Sequence, residues 1–158
     1  MCPIALKKLS LRWGNKYQDE GLLVMRIGLG LMFMIVHGWP KLLAGPEVWA
    51  NVGSAMPNFG LAHLSQGWGL MATLSQFIGG FCLIMGWMFR PAVAFLAVTM
   101  FVAAYGHLSA GEGWSKASHA IEVGIVFIGL LGVGPGAYSI YERRKLAGKD
   151  IFSRQAWS

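Results

Sequence analysis

The feature that most constrains this chain is the recurrence of apolar stretches about as long as a bilayer is thick. Residues 22–43, 68–89, 91–108 and 117–133 contain only Arg26, Lys41 and Glu122 among the four fully charged residue types. A helix rising 1.5 Å per residue needs roughly 20 residues to cross a hydrocarbon core of about 30 Å, and only the last segment is short for that. Charged residues make up 13% of the chain and the mean hydropathy is +0.52, whereas soluble domains are about 25% charged. A soluble domain with an enlarged core does not account for four such segments. The expected fold is an all-α membrane protein, a four-transmembrane-helix bundle with an interfacial segment between helices 1 and 2. It divides into a basic N-terminal arm (1–21), a transmembrane domain (22–134) and a basic C-terminal tail (135–158).

The segments are punctuated in physically sensible places. Arg90-Pro91 separates the second from the third, because proline suits a first helical turn and disfavours helix at the residue before it. "SAGEGWSKAS" separates the third from the fourth as a polar, glycine-containing loop. In "AGPEVWANVGSAMPNFGLAHLSQ" Pro46 can open a short helix with Val48, Trp49, Val52 and Met56 towards one side, lying as a cap at the interface. Trp39, Trp49, Trp68 and Trp114 fall near that same boundary, as aromatic belts do. No apolar run of signal-peptide character precedes the first long segment, which is therefore expected to do the targeting. Cys2 and Cys82 lack CxxC spacing and belong at different depths, so no disulfide or dithiol site is expected.

The net charge of +6 sits at the two ends. Lys7, Lys8, Arg12 and Lys16 lie in the arm; Arg143, Arg144, Lys145, Lys149 and Arg154 lie in the tail; Arg90 occupies the turn between helices two and three. Only Lys41 and Lys116 flank the opposite ends, so the positive-inside bias puts both termini in the cytoplasm. The basic clusters suit anionic headgroups, and no nucleic-acid motif is present.

The polar residues inside the apolar segments are the functional candidates. Residues 26, 30, 33/34, 37 and 41 recur at about 3.6 and share one helical face, which places Arg26, His37 and Lys41 on one stripe with Gly30 between them. Alternating helix direction then brings His37, Lys41, Gln76, His107, His119 and Glu122 to the outer third, with Gln76 and Glu122 roughly 8 to 12 Å below the helix ends. Ionisable groups at that depth cost roughly 2.5 to 3.5 kcal/mol unless paired or hydrated, so they are expected to gather in one chamber. Lys41 and Glu122 form the natural ion pair, with His37 and His119 as titratable neighbours. Each has a plainer reading: Lys41 snorkelling to headgroups, His107 and His119 as interfacial histidines, and Arg26 as an inner-leaflet anchor and structural partner.

On "RIGLGLMFMIVHGWPKL", "GGFCLIMGWMFRPAV" and "ASHAIEVGIVFIGLLGVGPGAYSI" the chain resembles the DoxX family of bacterial four-helix membrane proteins, related to the DoxD-like subunit of thiosulfate:quinone oxidoreductase. The likeness covers roughly residues 25–140, and "HGWPK" and "GPGAYSI" are its more specific pieces. Arg26, His37, Lys41 and Glu122 match family positions. Two positions depart from the pattern. Gln76 stands where family members often have a glutamate before the double glycine, and Ser139-Ile140-Tyr141 stands where many have an acidic residue. Position 76 therefore lacks the carboxylate that a proton or metal role would require.

The resemblance implies a bacterial inner-membrane protein, a subunit of a redox system handling quinone or a small sulfur oxyanion at the outer pocket. Glu122 and His37 are the candidate catalytic residues, and Lys41, Gln76, His107, His119 and Arg26 the candidate binding residues. Quinone is the candidate cofactor, with no haem or metal expected. Expected partners are membrane lipids, a soluble or membrane redox subunit and further copies of the chain. A non-catalytic partner or assembly factor for a redox complex is the alternative. A b-type cytochrome would need His37 opposite His107 or His119, and a transporter would need an oligomer, since four helices without a repeat offer little machinery for alternating access.

Overall fold

A computed structural model describes the backbone of residues 3–61 and 63–142, with side chains from residue 17 onward. The side chains of residues 1–16, which include the basic residues of the arm, and the basic tail from residue 143 lie outside the described residues. The chain runs as α1 (Pro3–Leu31), a π-helical segment (Met32–Gly38), α2 (Trp39–Ala44), α3 (Pro46–Val52), a 3-10 segment (Gly53–Phe59), α4 (Ser65–Met85), α5 (Phe89–Ser109) and α6 (Trp114–Val133). Four helical stretches are long and apolar enough to cross a membrane: Tyr17–Ala44, Ser65–Met85, Phe89–Ser109 and Trp114–Val133. This is a multi-pass membrane protein, and among the described residues there is no strand.

Consecutive spans run antiparallel, which leaves two distinct ends. The capped end carries α3 and the α5–α6 loop; the base carries the α4–α5 turn and the chain after α6. Within α4's apolar window 39% of residues are buried, against 22% in α5 and α6, so α4 is the centre of the bundle. It packs on α1, the π segment, α3 and α5, while α6 packs chiefly on α5. Gly30 and Gly80 let α1 and α4 touch backbone to backbone, since a Cβ on either would stand 2.7 Å from the other's carbonyl oxygen. Apart from Arg26, Thr73 and Ser139, the fully buried core is apolar (Leu83, Val93, Leu96, Phe127), and so is much of the outer surface (Val24, Phe101, Ile125, Ile128). That symmetry between inside and outside is what lipid as solvent permits.

The first span is not one uninterrupted α-helix. Pro40 has no N–H to bond to Val36, and its ring crowds that carbonyl, so the turn before it widens. Trp39 N–H accordingly bonds to the carbonyl of Met34, five residues back. The buried positions of the span are Leu22, Arg26, Gly30, Phe33 and then Gly38. The last step is five residues rather than three or four, so Gly38, not His37, takes the place against α4, where its Cα faces Phe77. The even stripe from Arg26 to Lys41 is therefore broken by one extra residue in the wide turn.

Candidate functional site

The cap is built by two glycines. A Cβ on Gly69 would collide with the carbonyl of Trp49, and one on Gly53 with the carbonyl of Ser65. These contacts let α3 and the 3-10 segment fold back tightly over the first turns of α4. Trp49 Nε1 then donates 2.8 Å to the carbonyl of Lys41, fastening the cap to α2. Beneath it lies a cavity of about 720 Å³ between α3, α4 and α5.

One part of the cavity wall is polar. Lys41 Nζ donates 3.0 Å to Gln76 Oε1, and Gln76 is itself only 4% exposed. The Ser75 and Thr99 hydroxyls lie 3.1 Å apart alongside. Among the described residues no carboxylate lies within ion-pair distance of Lys41. An ammonium has three N–H donors, and a neutral amide oxygen takes one of them. The other part is apolar and open: Met71, Phe95 and Val98 line the cavity yet are 55%, 60% and 60% exposed, so the groove has a side opening on the lipid-facing surface of α4 and α5.

At the mouth, Asn58 Nδ2 donates 3.0 Å to Ser109 Oγ, and Phe59 lies against Tyr105 with ring centroids 4.7 Å apart. His107 Nδ1 lies 2.7 Å from Glu112 Oε2, with Lys116 Nζ 3.6 Å from the same oxygen. The hydrogen bond from His107, then the charge of Lys116, hold the Glu112 carboxyl below its ordinary value of 4.5. A depressed carboxyl stabilises the fold above its unfolded value and loses that contribution as pH falls through the folded one. The α5–α6 loop is thus expected to loosen only in acid, below pH 4.5. Hydrogen exchange across residues 110–113, corrected for intrinsic rate, should rise between about pH 7 and about pH 3. In Glu112→Gln it should be raised at both.

The six residues expected to share one chamber fall instead into separate places. Lys41 and Gln76 meet in the groove, and His107 reaches its mouth. His37 turns towards α6, where its ring lies 5.2 Å from Phe33 and 6.2 Å from His119 between centroids. Phe33 and Phe127, edge to face at 5.1 Å, fill the seam below that pair. Glu122 is exposed, and the expected Lys41–Glu122 ion pair does not form. Two physical reasons account for the correction. The wide turn before Pro40 separates His37 from Lys41. On α6, Glu122 also stands two residues, about 200°, round from the buried Ala120, and therefore points away from the bundle. Among the described residues no group of three or more His, Cys, Asp or Glu side chains is placed to hold a metal ion.

Arg26 lies at the base, far from the groove, and is 1% exposed. Its Nε donates 2.9 Å to the carbonyl of Leu83, Nη2 donates 2.9 Å to that of Ile84, and Nη1 donates 2.7 Å to that of Pro135. Leu83 and Ile84 belong to the last turn of α4, whose carbonyls have no partner within the helix, so the guanidinium caps that helix and suits its negative end. Arg26 is thus a structural staple rather than a ligand-binding group, and "GPGAYSI" is the loop it holds. Asp19 accepts 2.8 Å from Ala137 N–H, and the Ser139 hydroxyl donates 2.9 Å to the Gly136 carbonyl. Asp19 did not stand out in the sequence as a partner of this loop, which its own Ser139 also ties together. Gly86 completes the socket: its φ is +63°, and a Cβ there would strike Arg26 Nη2 and stand 2.6 Å from the Ser139 Cβ. Gly86→Ala is expected to destabilise by about 1–3 kcal/mol from backbone strain alone, read as a lower thermal midpoint in detergent.

The DoxX family model matches residues 21–108, which takes in Arg26, His37, Lys41, Gln76 and His107 and leaves His119 and Glu122 beyond it. No curated protein and no solved structure matches the chain.

Proposed function

We propose that this chain, which belongs to the DoxX family of membrane proteins, is the membrane subunit of a redox system whose groove binds the oxygen-bearing head of a quinone or a small sulfur oxyanion. The observation that carries the reading is the Lys41 ammonium on the cavity wall, bonded to one neutral amide. A cation partly removed from water attracts an oxygen acceptor or an anion, because its Coulomb attraction is less screened there.

The side opening favours quinone over a water-soluble anion. A head held at Lys41 and Gln76 leaves an isoprenoid tail running over Phe95, Val98 and Met71 into the hydrocarbon. Bound quinone supplies two-electron, two-proton chemistry. Lys41 would hold a carbonyl oxygen, Gln76 would fix the lysine, and the α3 cap would exclude water from the head. The electrons come from a soluble or membrane redox partner. Arg90 at the base, together with the basic residues of the arm and tail, supports a bacterial inner-membrane location with both termini in the cytoplasm. A short-chain quinone and thiosulfate, each titrated into purified protein, test the reading by thermal shift. Stabilisation by the quinone is expected; stabilisation by thiosulfate alone would assign the oxyanion, and response to neither would sink the site.

A further inference from the structure

Glu122 is the least explained group in the molecule. It sits eight residues into α6, about 12 Å from the capped end at 1.5 Å per residue, and is exposed on the bundle's outer surface. Among the described residues it has no hydrogen bond and no ion pair. A lone carboxylate facing lipid at that depth carries a desolvation cost that a hydrogen-bonding partner relieves. Lys116, one and a half turns nearer the end, is already beside Glu112. The remaining ionisable group on that side of α6 is His119, also exposed, with His37 of the first span beside its ring.

The surroundings of Glu122 have a pattern. His119, Glu122, Val126, Gly129 and Val133 follow steps of three, four, three and four residues, the spacing at which two parallel helices interlock. All but the half-buried Val126 are exposed, and a Cβ added to Gly129 would meet nothing within 4 Å. A glycine there lets a second backbone come close.

We propose that this seam of α6 packs against the same seam of a second copy, with Glu122 of each copy accepting a hydrogen bond from His119 of the other. A two-fold axis along the membrane normal puts equal residues at equal depth. His119 lies one turn above Glu122, so interlocking side chains bring the donor of one helix to the acceptor of its mate. The seam carries both members of the pair, which is why a second copy, rather than an unrelated helix, is its complement. The carboxylate is then covered by protein instead of lipid. This interface lies on the opposite side of α6 from α5 and is independent of the groove.

The full chain, with Cys2 and Cys82 changed to serine, tests the interface in lipid nanodiscs and by oxidative cross-linking. Gly129→Cys is expected to give a disulfide dimer, and Val98→Cys, on the outward face of α5, is not. Glu122→Leu and His119→Leu should each lower the dimer fraction at least tenfold while leaving the thermal midpoint of the monomer unchanged. The exchange His119→Glu with Glu122→His should restore the dimer. Monomer at every protein concentration, equal cross-linking through Val98→Cys, or an exchange variant that folds without recovering the dimer would each overturn the proposal.

Discussion

Arg26→Leu is expected to lower the thermal midpoint of the bundle sharply. The substitution keeps an apolar side chain of moderate size at a site that is 1% exposed, but it strips the donor from three carbonyls at once. Each buried acceptor left unsatisfied costs about 1–3 kcal/mol. The total, about 3 kcal/mol or more, is a large share of the 5–15 kcal/mol typical of a whole domain. The consequence is specific in space: the last turn of α4 loses its cap, and the loop at Pro135 loses its tie to the first span. Arg26→Lys should recover only part of the loss, since a tetrahedral ammonium cannot reproduce the planar fork that spans Leu83, Ile84 and Pro135. Thermal unfolding in detergent, with proteolysis after residue 134 as a local readout, checks both. An Arg26→Leu protein with a wild-type midpoint would show that the socket is incidental.

Much of the bundle was legible because length is a strong signal when the solvent is lipid. Four apolar segments and the short helix at Pro46 stand where chain punctuation puts them. The turn expected at Arg90-Pro91 lies instead at residues 86–88, and Arg90 and Pro91 belong to the first turn of α5, where a proline needs no N–H partner. The rotation of each helix about its own axis was not legible. In water, a polar face marks the outside of a helix, but here Ile125 and Ile128 face outward while Leu130 and Phe127 face inward, and the two pairs read alike. Cost alone argues for Glu122 in the interior, and the structure puts it outside. Pro40 was visible, yet the register shift it imposes depends on whether the preceding turn bends or widens. The partners of Arg26 are backbone carbonyls, which any sequence supplies. The groove was half legible: Lys41 and Gln76 were candidates, whereas Thr99 and the α3 wall depend on the side to which the cap folds.

Lys41→Met is expected to remove most ligand binding from a bundle that still folds. The variant keeps the length of the side chain and removes its charge and donors. A hydrogen bond to a charged group contributes about 1.5–3 kcal/mol, so affinity for an oxygen-bearing ligand should fall roughly 10- to 150-fold. Stability should fall by about 1.5–3 kcal/mol, because the single bond to Gln76 is itself made by a charged group. Gln76→Glu asks the finer question of which ligand the groove takes. A carboxylate at 76 would pair with Lys41 at the distance where the amide now sits, 3.0 Å, and would cancel its charge while leaving two of its N–H donors free. An anion bound through net charge should then lose most of its affinity, whereas a neutral quinone carbonyl, which needs a donor rather than a field, should lose far less. Parallel titrations of thiosulfate and a short-chain quinone into wild type, Lys41→Met and Gln76→Glu distinguish the two ligands. If both bind Lys41→Met as well as they bind wild type, the ammonium has no part in the site.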